Sequence, residues 1–148
     1  MYFSSMFKSW FNFTNALFLM AILIVSGTIV YSQYIAQQIA SKERAAVESW
    51  VEAERTILNS TDSVSINLAS KIITENKSIP IIETNEKDQP TGNYVNIDEL
   101  KIAADSNYLL QRLKEFKLYS KTPIEVKLKA GDSTTIRYYY GQSKLLRE

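Results

Sequence analysis

The first quarter of the chain contains a long apolar run. Ala16–Tyr31 has the sequence ALFLMAILIVSGTIVY, and residues 9–41 carry no charged side chain. A transmembrane helix needs about 20 apolar residues, which the stretch 11–35 supplies. Aromatic residues, which favour the two membrane–water interfaces, lie at both ends: Trp10, Phe11 and Phe13 at the start, Tyr31 and Tyr34 at the end. The pattern predicts a short tail at residues 1–10 and a transmembrane helix at residues 11–35.

A cleaved signal peptide is the competing interpretation of this run. Lys8 would be its basic end and Val25–Gly27 a weak small-residue cleavage site. The apolar run continues past Gly27 through Ile29 and Val30, which favours the transmembrane helix. Orientation is not fixed by charge, because the single lysine before the run is outnumbered by the cations that follow it.

The next segment, residues 36–76, has a helical pattern. Residues 28–79 contain neither Gly nor Pro, and apolar residues recur at heptad spacing: Ile35, Ile39, Ala46, Trp50, Ile57, Val64, Leu68 and Ile72. Charged residues occupy the other face: Glu43, Glu48, Glu52, Arg55 and Lys71. We predict one long helix to about Glu75, with the polar patch Asn59–Asp62 as its weak point.

The apolar stripe allows two kinds of packing. It could cover the sheet that follows, or it could pair with the same helix of a second copy. Little other sequence near the membrane is available to cover it, so we predict a dimer contact along Ile39, Ala46, Trp50 and Ile57. Beyond Val64 we predict packing on the chain's own domain.

Residues 77–141 change to a pattern of short strands and a helix. Two strands are predicted at Ile79–Thr84 and Asn93–Ile97, joined by turn residues. Asp98 can cap the following helix, whose apolar face is Leu109, Leu110, Leu113 and Phe116. Strands at 124–128 and 134–140 flank a hairpin turn at Ala130–Asp132, and a helix starts within 142–148. We predict an α+β fold with a small antiparallel sheet covered by helix on one face.

Composition excludes several classes of activity for this chain. It has 17 Lys+Arg, 16 Asp+Glu, no His and no Cys. Nucleophilic triads that use His, zinc sites built from His or Cys, and disulfides are therefore absent from the sequence. No glycine-rich nucleotide-binding motif occurs, and a net charge of +1 indicates no nucleic-acid partner. We predict no catalytic, cofactor-binding or metal-binding residues in this chain.

The strand Thr134–Tyr140 supplies the candidate ligand contacts. Alternation sends Tyr138 and Tyr140 to one face, and Arg137 and Tyr139 stay as candidate ligand-binding residues. An acidic turn at Glu83, Glu86 and Asp88 lacks the spacing of a calcium loop and is interpreted as a solvated turn.

Several segments in order resemble one protein family. They are Ile79–Asn85, Asn96-Ile97, Leu109–Phe116, Pro123–Val126 and Tyr138–Leu146. Together they resemble the extracytoplasmic sensor region of membrane-bound sensor histidine kinases of Bacteroidetes-type bacteria, over roughly Lys71–Glu148. The resemblance implies a PAS-like sensor domain, a cytoplasmic N-terminus, a periplasmic head and an inner-membrane location. It also implies a homodimer that responds to an unknown extracytoplasmic signal.

The chain departs from that family because it lacks the phosphoacceptor His and the ATP-binding motifs. The resemblance therefore implies that ATP, Mg²⁺ and a response regulator belong to a kinase region outside this sequence, and that this chain alone is not an enzyme. Two alternatives stay open: a single-pass membrane-anchored adaptor that binds a protein through its sheet edge, and, less favoured, a pilin-like subunit. The pilin processing site, with its Glu early in the mature chain, is missing.

Overall fold

The computed structural model describes the backbone of residues 3–127 and 135–144, and the side chains of residues 13–127 and 135–144. Within these ranges the elements follow an α+β order. They are α1 (Phe3–Asn59), α2 (Ser63–Glu75), β1 (Ile81–Thr84), β2 (Pro90–Val95), α3 (Glu99–Ala104), α4 (Tyr108–Ser120), β3 (Ile124–Lys127) and β4 (Thr135–Tyr140). The chain divides into two compact units, Met1–Ser41 and Lys42–Glu148.

The large apolar side chains between Phe13 and Ile35 are exposed. Over Phe13–Asn59, α1 contains a window with a mean hydropathy of 2.1, none of it buried, so α1 is long and apolar enough to cross a membrane. One polar group in the run, the Thr28 hydroxyl, donates to the Val25 carbonyl at 2.8 Å. This hydrogen bond within the helix gives the hydroxyl an acceptor, which the hydrocarbon core of a membrane does not provide.

The long helix predicted to reach Glu75 is instead two helices. α1 ends at Asn59 and α2 begins at Ser63, so the break falls at the predicted weak point. Asp62 caps α2, because its carboxylate accepts from the Ser65 backbone N–H at 2.9 Å. Asn, Ser and Asp side chains compete for backbone hydrogen bonds, which ends one helix and caps the next.

The four described strands form one antiparallel sheet in the order β2-β1-β4-β3. β1 lies between β2 and β4, with Ile81 opposite Tyr140 and Glu83 opposite Tyr138. Successive residues of a strand face opposite sides. One face therefore carries Ile81, Glu83, Tyr138 and Tyr140, as predicted for the two tyrosines, and the other carries Ile82 and Tyr139.

Helices cover both faces of the sheet, which corrects the prediction of a single covered face. Val47, Trp50 and Val51 of α1 pack against the face of Ile81 and Tyr138. Leu113 and Phe116 of α4 pack against Ile82 and Tyr139 on the other face. The sheet is thus the middle layer of three in the second unit.

Some predicted boundaries moved. β2 begins at Pro90, inside the predicted turn, and ends at Val95. The Asp98 cap is present, but it starts the separate short helix α3 and not α4. On α4, Leu110 is exposed whereas Leu113 and Phe116 are buried. The predicted turn at 130–132 lies outside the described residues, and of the helix start predicted at 142–148 only residues 142–144 are described.

Packing on the chain's own domain, predicted beyond Val64, is wrong for Leu68. Leu68 is 62% exposed, whereas Ala69 is the buried residue of α2. The break at Ser60–Asp62 resets the helical phase, so the heptad register counted through it no longer identifies the packed face.

Candidate functional site

A cavity of about 350 Å³ lies between α1 and the edge of the sheet, within the second unit. Its size is at the lower end of small-molecule sites. The wall combines aromatic rings, carboxylates and short apolar side chains. The described residues that line it are Trp50, Glu54, Ile81, Glu83, Gly92, Asn93, Tyr94, Val95, Glu99 and Tyr138.

Glu83 is the most firmly held carboxylate of the cavity. It projects from β1 and is buried. Its Oε1 accepts from the Thr91 hydroxyl at 2.6 Å and from the Asn93 side-chain amide at 3.1 Å, and the Tyr138 hydroxyl lies 3.5 Å from its Oε2. These donors fix a carboxylate inside the sheet, where an unpaired charge would be costly. The interpretation of Glu83 as part of a solvated turn is therefore corrected.

Glu54 is the second carboxylate and is less well satisfied. Burial raises the pKa of Glu54, the Tyr138 hydroxyl offsets part of the rise by hydrogen bonding, and the nearby Glu83 charge adds to it. Its Oε2 has no hydrogen-bond partner among the described residues, and neither has the indole Nε1 of Trp50 one turn earlier on α1. Unpaired buried polar atoms are rare in folded proteins and call for a cause.

Tyr138 connects the two carboxylates and the tryptophan. Burial raises the pKa of Tyr138, and the Glu54 and Glu83 carboxylates raise it further, so the hydroxyl stays protonated and acts as a donor at neutral pH. Its ring meets Trp50 edge-on with the centroids 6.2 Å apart. Trp50, Glu54 and Tyr138 thus form one contiguous wall that joins α1 to the sheet.

The raised pKa of Glu54 predicts a pH dependence of stability. A carboxyl that binds its proton more tightly when folded lowers the free energy of unfolding as pH rises through the window above the ordinary glutamate pKa. Glu54→Gln removes this loss. Between pH 4.5 and pH 8 we expect the free energy of unfolding of the variant to rise relative to that of the native chain. The rise is no more than about 1 kcal/mol, because the half-exposed carboxyl is partly screened.

Urea unfolding of both chains in detergent across that pH range measures the difference. The variant keeps the other titratable side chains of the cavity wall, which are Glu83, Glu99, Tyr94 and Tyr138. A gain that is the same at every pH would show that Glu54 does not titrate differently in the folded state.

The predicted ligand pair, Arg137 and Tyr139, does not line this cavity. Tyr139 is 5% exposed, and its hydroxyl donates to Asp88 at 2.9 Å. The Arg137 guanidinium donates to Asp88 at 3.1 Å, to Glu125 at 2.9 Å and to the Glu86 carbonyl at 2.8 Å. Both residues brace the turn between β1 and β2, so ligand contact at this pair stays a prediction.

The Asp88 carboxylate accepts hydrogen bonds from Arg137, Tyr139 and Lys117. Burial acts to raise the pKa of Asp88, but hydrogen bonds from Lys117, Tyr139 and Arg137 together outweigh it and lower the pKa. Lys117 of α4 lies 3.0 Å from the carboxylate. The predicted acidic turn is therefore split, because Glu83 enters the cavity and Asp88 is held by cations. Among the described residues no group of three metal-type ligands occurs.

The predicted dimer residues have different surroundings in the single chain. Trp50 is 6% exposed and packs on the chain's own sheet, which corrects its assignment to a helix–helix contact. Ala46 and Ile57 are exposed, and Ile39 is half-buried. A dimer contact at these three residues stays a prediction.

A buried carboxylate on α1 was missed from the sequence. Glu43, assigned to the polar face, is 6% exposed. It accepts from the Tyr119 hydroxyl and from the Ser143 backbone N–H, the latter at 2.9 Å. The adjacent Arg44 donates to the Thr122 carbonyl at 3.2 Å. These contacts, which we call the Glu43 clamp (Glu43, Tyr119 and Ser143), join α1 to α4 and to the segment that follows β4.

Comparison with protein-family models, curated proteins and solved structures finds no match to the chain. The class defined by the fold is therefore stated from the structure alone: an α+β unit with a four-stranded antiparallel sheet, and a long helix that can span a membrane.

Proposed function

We propose that the chain is the membrane-anchored sensor region of a bacterial sensor histidine kinase. Residues 11–35 of α1 would lie in the inner membrane, and the second unit would be a periplasmic PAS-like head. The proposal combines the family resemblance of the sequence with a small antiparallel sheet covered by helices. A kinase region outside this sequence would carry the phosphoacceptor His and the ATP site.

One observation supports this proposal most directly. The helix with the candidate span also supplies two residues that line the cavity, Trp50 and Glu54. It further supplies Glu43, which binds the segment after β4. A ligand can shift a conformational equilibrium only through contacts that differ between two states. A ligand in this cavity would contact the element through which the signal is proposed to pass.

The kinase proposal has a simple test in the coding DNA. We expect the reading frame to continue past the codon for Glu148 into a second apolar run, and then into a helix with a phosphoacceptor His. A stop codon directly after Glu148 would contradict the kinase proposal and favour the membrane-anchored adaptor.

The dimer prediction is tested by cysteine crosslinking. The native chain has no Cys, so a single introduced Cys reports one position. We expect Ile39→Cys, Ala46→Cys and Ile57→Cys to form disulfide-linked dimers in native membranes under mild oxidation. Such a bond requires the two Cα atoms within about 7 Å.

Glu52→Cys is the matched control for these variants, since Glu52 lies on the charged face of the same helix. We expect it to crosslink several-fold less at equal expression. Equal crosslinking at all four positions, or at none, would contradict pairing along this stripe.

A further inference from the structure

The cavity at Trp50 and Glu54 has the charge of a site for cations. Three carboxylates line it, Glu54, Glu83 and Glu99, and none of its described lining residues is Lys or Arg. The carboxylates would repel an anion, whereas each of them would attract a cation.

Its aromatic lining indicates an organic cation. The rings of Trp50, Tyr94 and Tyr138 belong to the wall. Indole and phenol rings attract ammonium groups through their electron-rich faces and also cover methylene groups. A bare divalent ion would gain little from these rings and prefers six or more oxygen ligands.

Two residues of the wall, Trp50 and Glu54, each carry a buried side-chain atom that has no hydrogen-bond partner among the described residues. Glu83 Oε1 already accepts two hydrogen bonds, from Thr91 and Asn93. Glu54 Oε2 accepts none, and the Trp50 indole N–H, in a side chain more than nine-tenths buried, donates none among the described residues. The wall therefore lacks one donor and one acceptor, and each unmade bond costs stability.

We propose that this cavity binds a small organic ammonium compound that also carries an oxygen acceptor, of the amino-alcohol class. The ammonium N–H groups would donate to Glu54 Oε2 beside the Glu83 charge, the methylene groups would lie on the rings, and the oxygen would accept from Trp50. This names the signal class of the proposed sensor and rests on that function. The volume of about 350 Å³ is larger than the smallest amino alcohols need, so it also leaves room for longer members of the class.

Ethanolamine is the probe, titrated by calorimetry into the full chain in detergent at pH 8. We expect saturable binding, weaker binding of choline, which has a charge but no N–H donor, and no binding of ethylene glycol or acetate. Glu54→Gln keeps the shape of the side chain and removes the charge, so we expect its Kd for ethanolamine to rise by about 10-fold or more.

Glu52→Gln is the matched control, because it removes the same charge two residues away on α1 and outside this cavity. We expect it to change the Kd by less than about 2-fold. The unfolding midpoint of Glu54→Gln, expected to be at or above that of the native chain, confirms that any lost binding is not lost folding.

Several results would overturn the ligand class. They are no saturable heat with ethanolamine, equal weakening by Glu54→Gln and Glu52→Gln, equal binding of ethylene glycol, or binding of Mg²⁺ in place of ethanolamine. If the chain is bound to the membrane but does not bind ethanolamine, the ligand class is contradicted and the anchored sensor is not. A chain that binds ethanolamine but stays out of the membrane would remove the anchored sensor and keep the site.

Discussion

Glu43→Ala is expected to lower the free energy of unfolding of the chain by about 2–3 kcal/mol. The change removes the acceptor that Tyr119 and the Ser143 backbone N–H share. Burial and the Glu43 carboxylate raise the pKa of Tyr119, so its hydroxyl remains a donor at neutral pH. Ser143 is buried, and removing an acceptor there costs far more than at an exposed site, whereas Tyr119 is 36% exposed and contributes the smaller part. Urea unfolding of the full chain in detergent measures the loss.

Glu48→Ala is the matched control for the Glu43 clamp. Glu48 lies on the same helix and forms an exposed ion pair with Arg44 at 2.9 Å. Such pairs contribute little, so we expect a loss of about 0.5 kcal/mol or less. Tyr119→Phe removes only one donor and should fall between the two, at about 1 kcal/mol. Equal losses for Glu43→Ala and Glu48→Ala would show that the clamp does not stabilise the head.

Phe116→Ala is expected to be the most destabilising single truncation, at about 3–5 kcal/mol. Phe116 is 1% exposed and packs with Ile82 and Tyr139 between α4 and the sheet. Its ring also lies against Gly141, where an added Cβ would overlap the ring. Among the described residues, Phe116 has the largest fully buried side chain, and its truncation leaves a cavity that the sheet cannot close. The change in the urea midpoint measures the loss.

Two further variants separate packing from helix propensity at this site. Leu118→Ala lies on the same helix at an 81% exposed position, and we expect a change within about 0.5 kcal/mol. Gly141→Ala adds a methyl group where Phe116 already fills the space, and should cost about 1–3 kcal/mol. A Phe116→Ala loss as small as that of Leu118→Ala would contradict the packing of α4 on the sheet.

Local patterns predicted the elements of the chain better than their contacts. The apolar helical run at 16–31 and a helix cap at Asp98 follow from periodicity and capping, which depend on neighbours in sequence. The strand predicted at Ile79–Thr84 is present from Ile81, and the predicted apolar face of α4 packs on the sheet except for Leu110. The opposite orientation of Tyr138 and Tyr139 follows from strand alternation. These features are present in the structure.

Contacts between residues remote in sequence were not predicted. Trp50 was assigned to a partner helix because no nearby sequence covers it, but the covering strand lies 88 residues further on at Tyr138. Glu43 looked like a surface residue because its partners, Tyr119 and Ser143, are remote in sequence. Glu54 and Glu83 meet only when α1 packs on β1. No periodic signal encodes such pairs, so the cavity could not be predicted.

The fate of the chain when membranes are sedimented tests the anchored sensor most directly. The intact chain, expressed in a Gram-negative bacterium, is followed in membranes washed with alkaline carbonate. If Ala16–Tyr31 lies in the bilayer, the full-length chain stays in the pellet and enters the supernatant only after detergent is added. Full-length chain in the supernatant without detergent, or a shortened soluble product cut near Gly27, would contradict the membrane anchor.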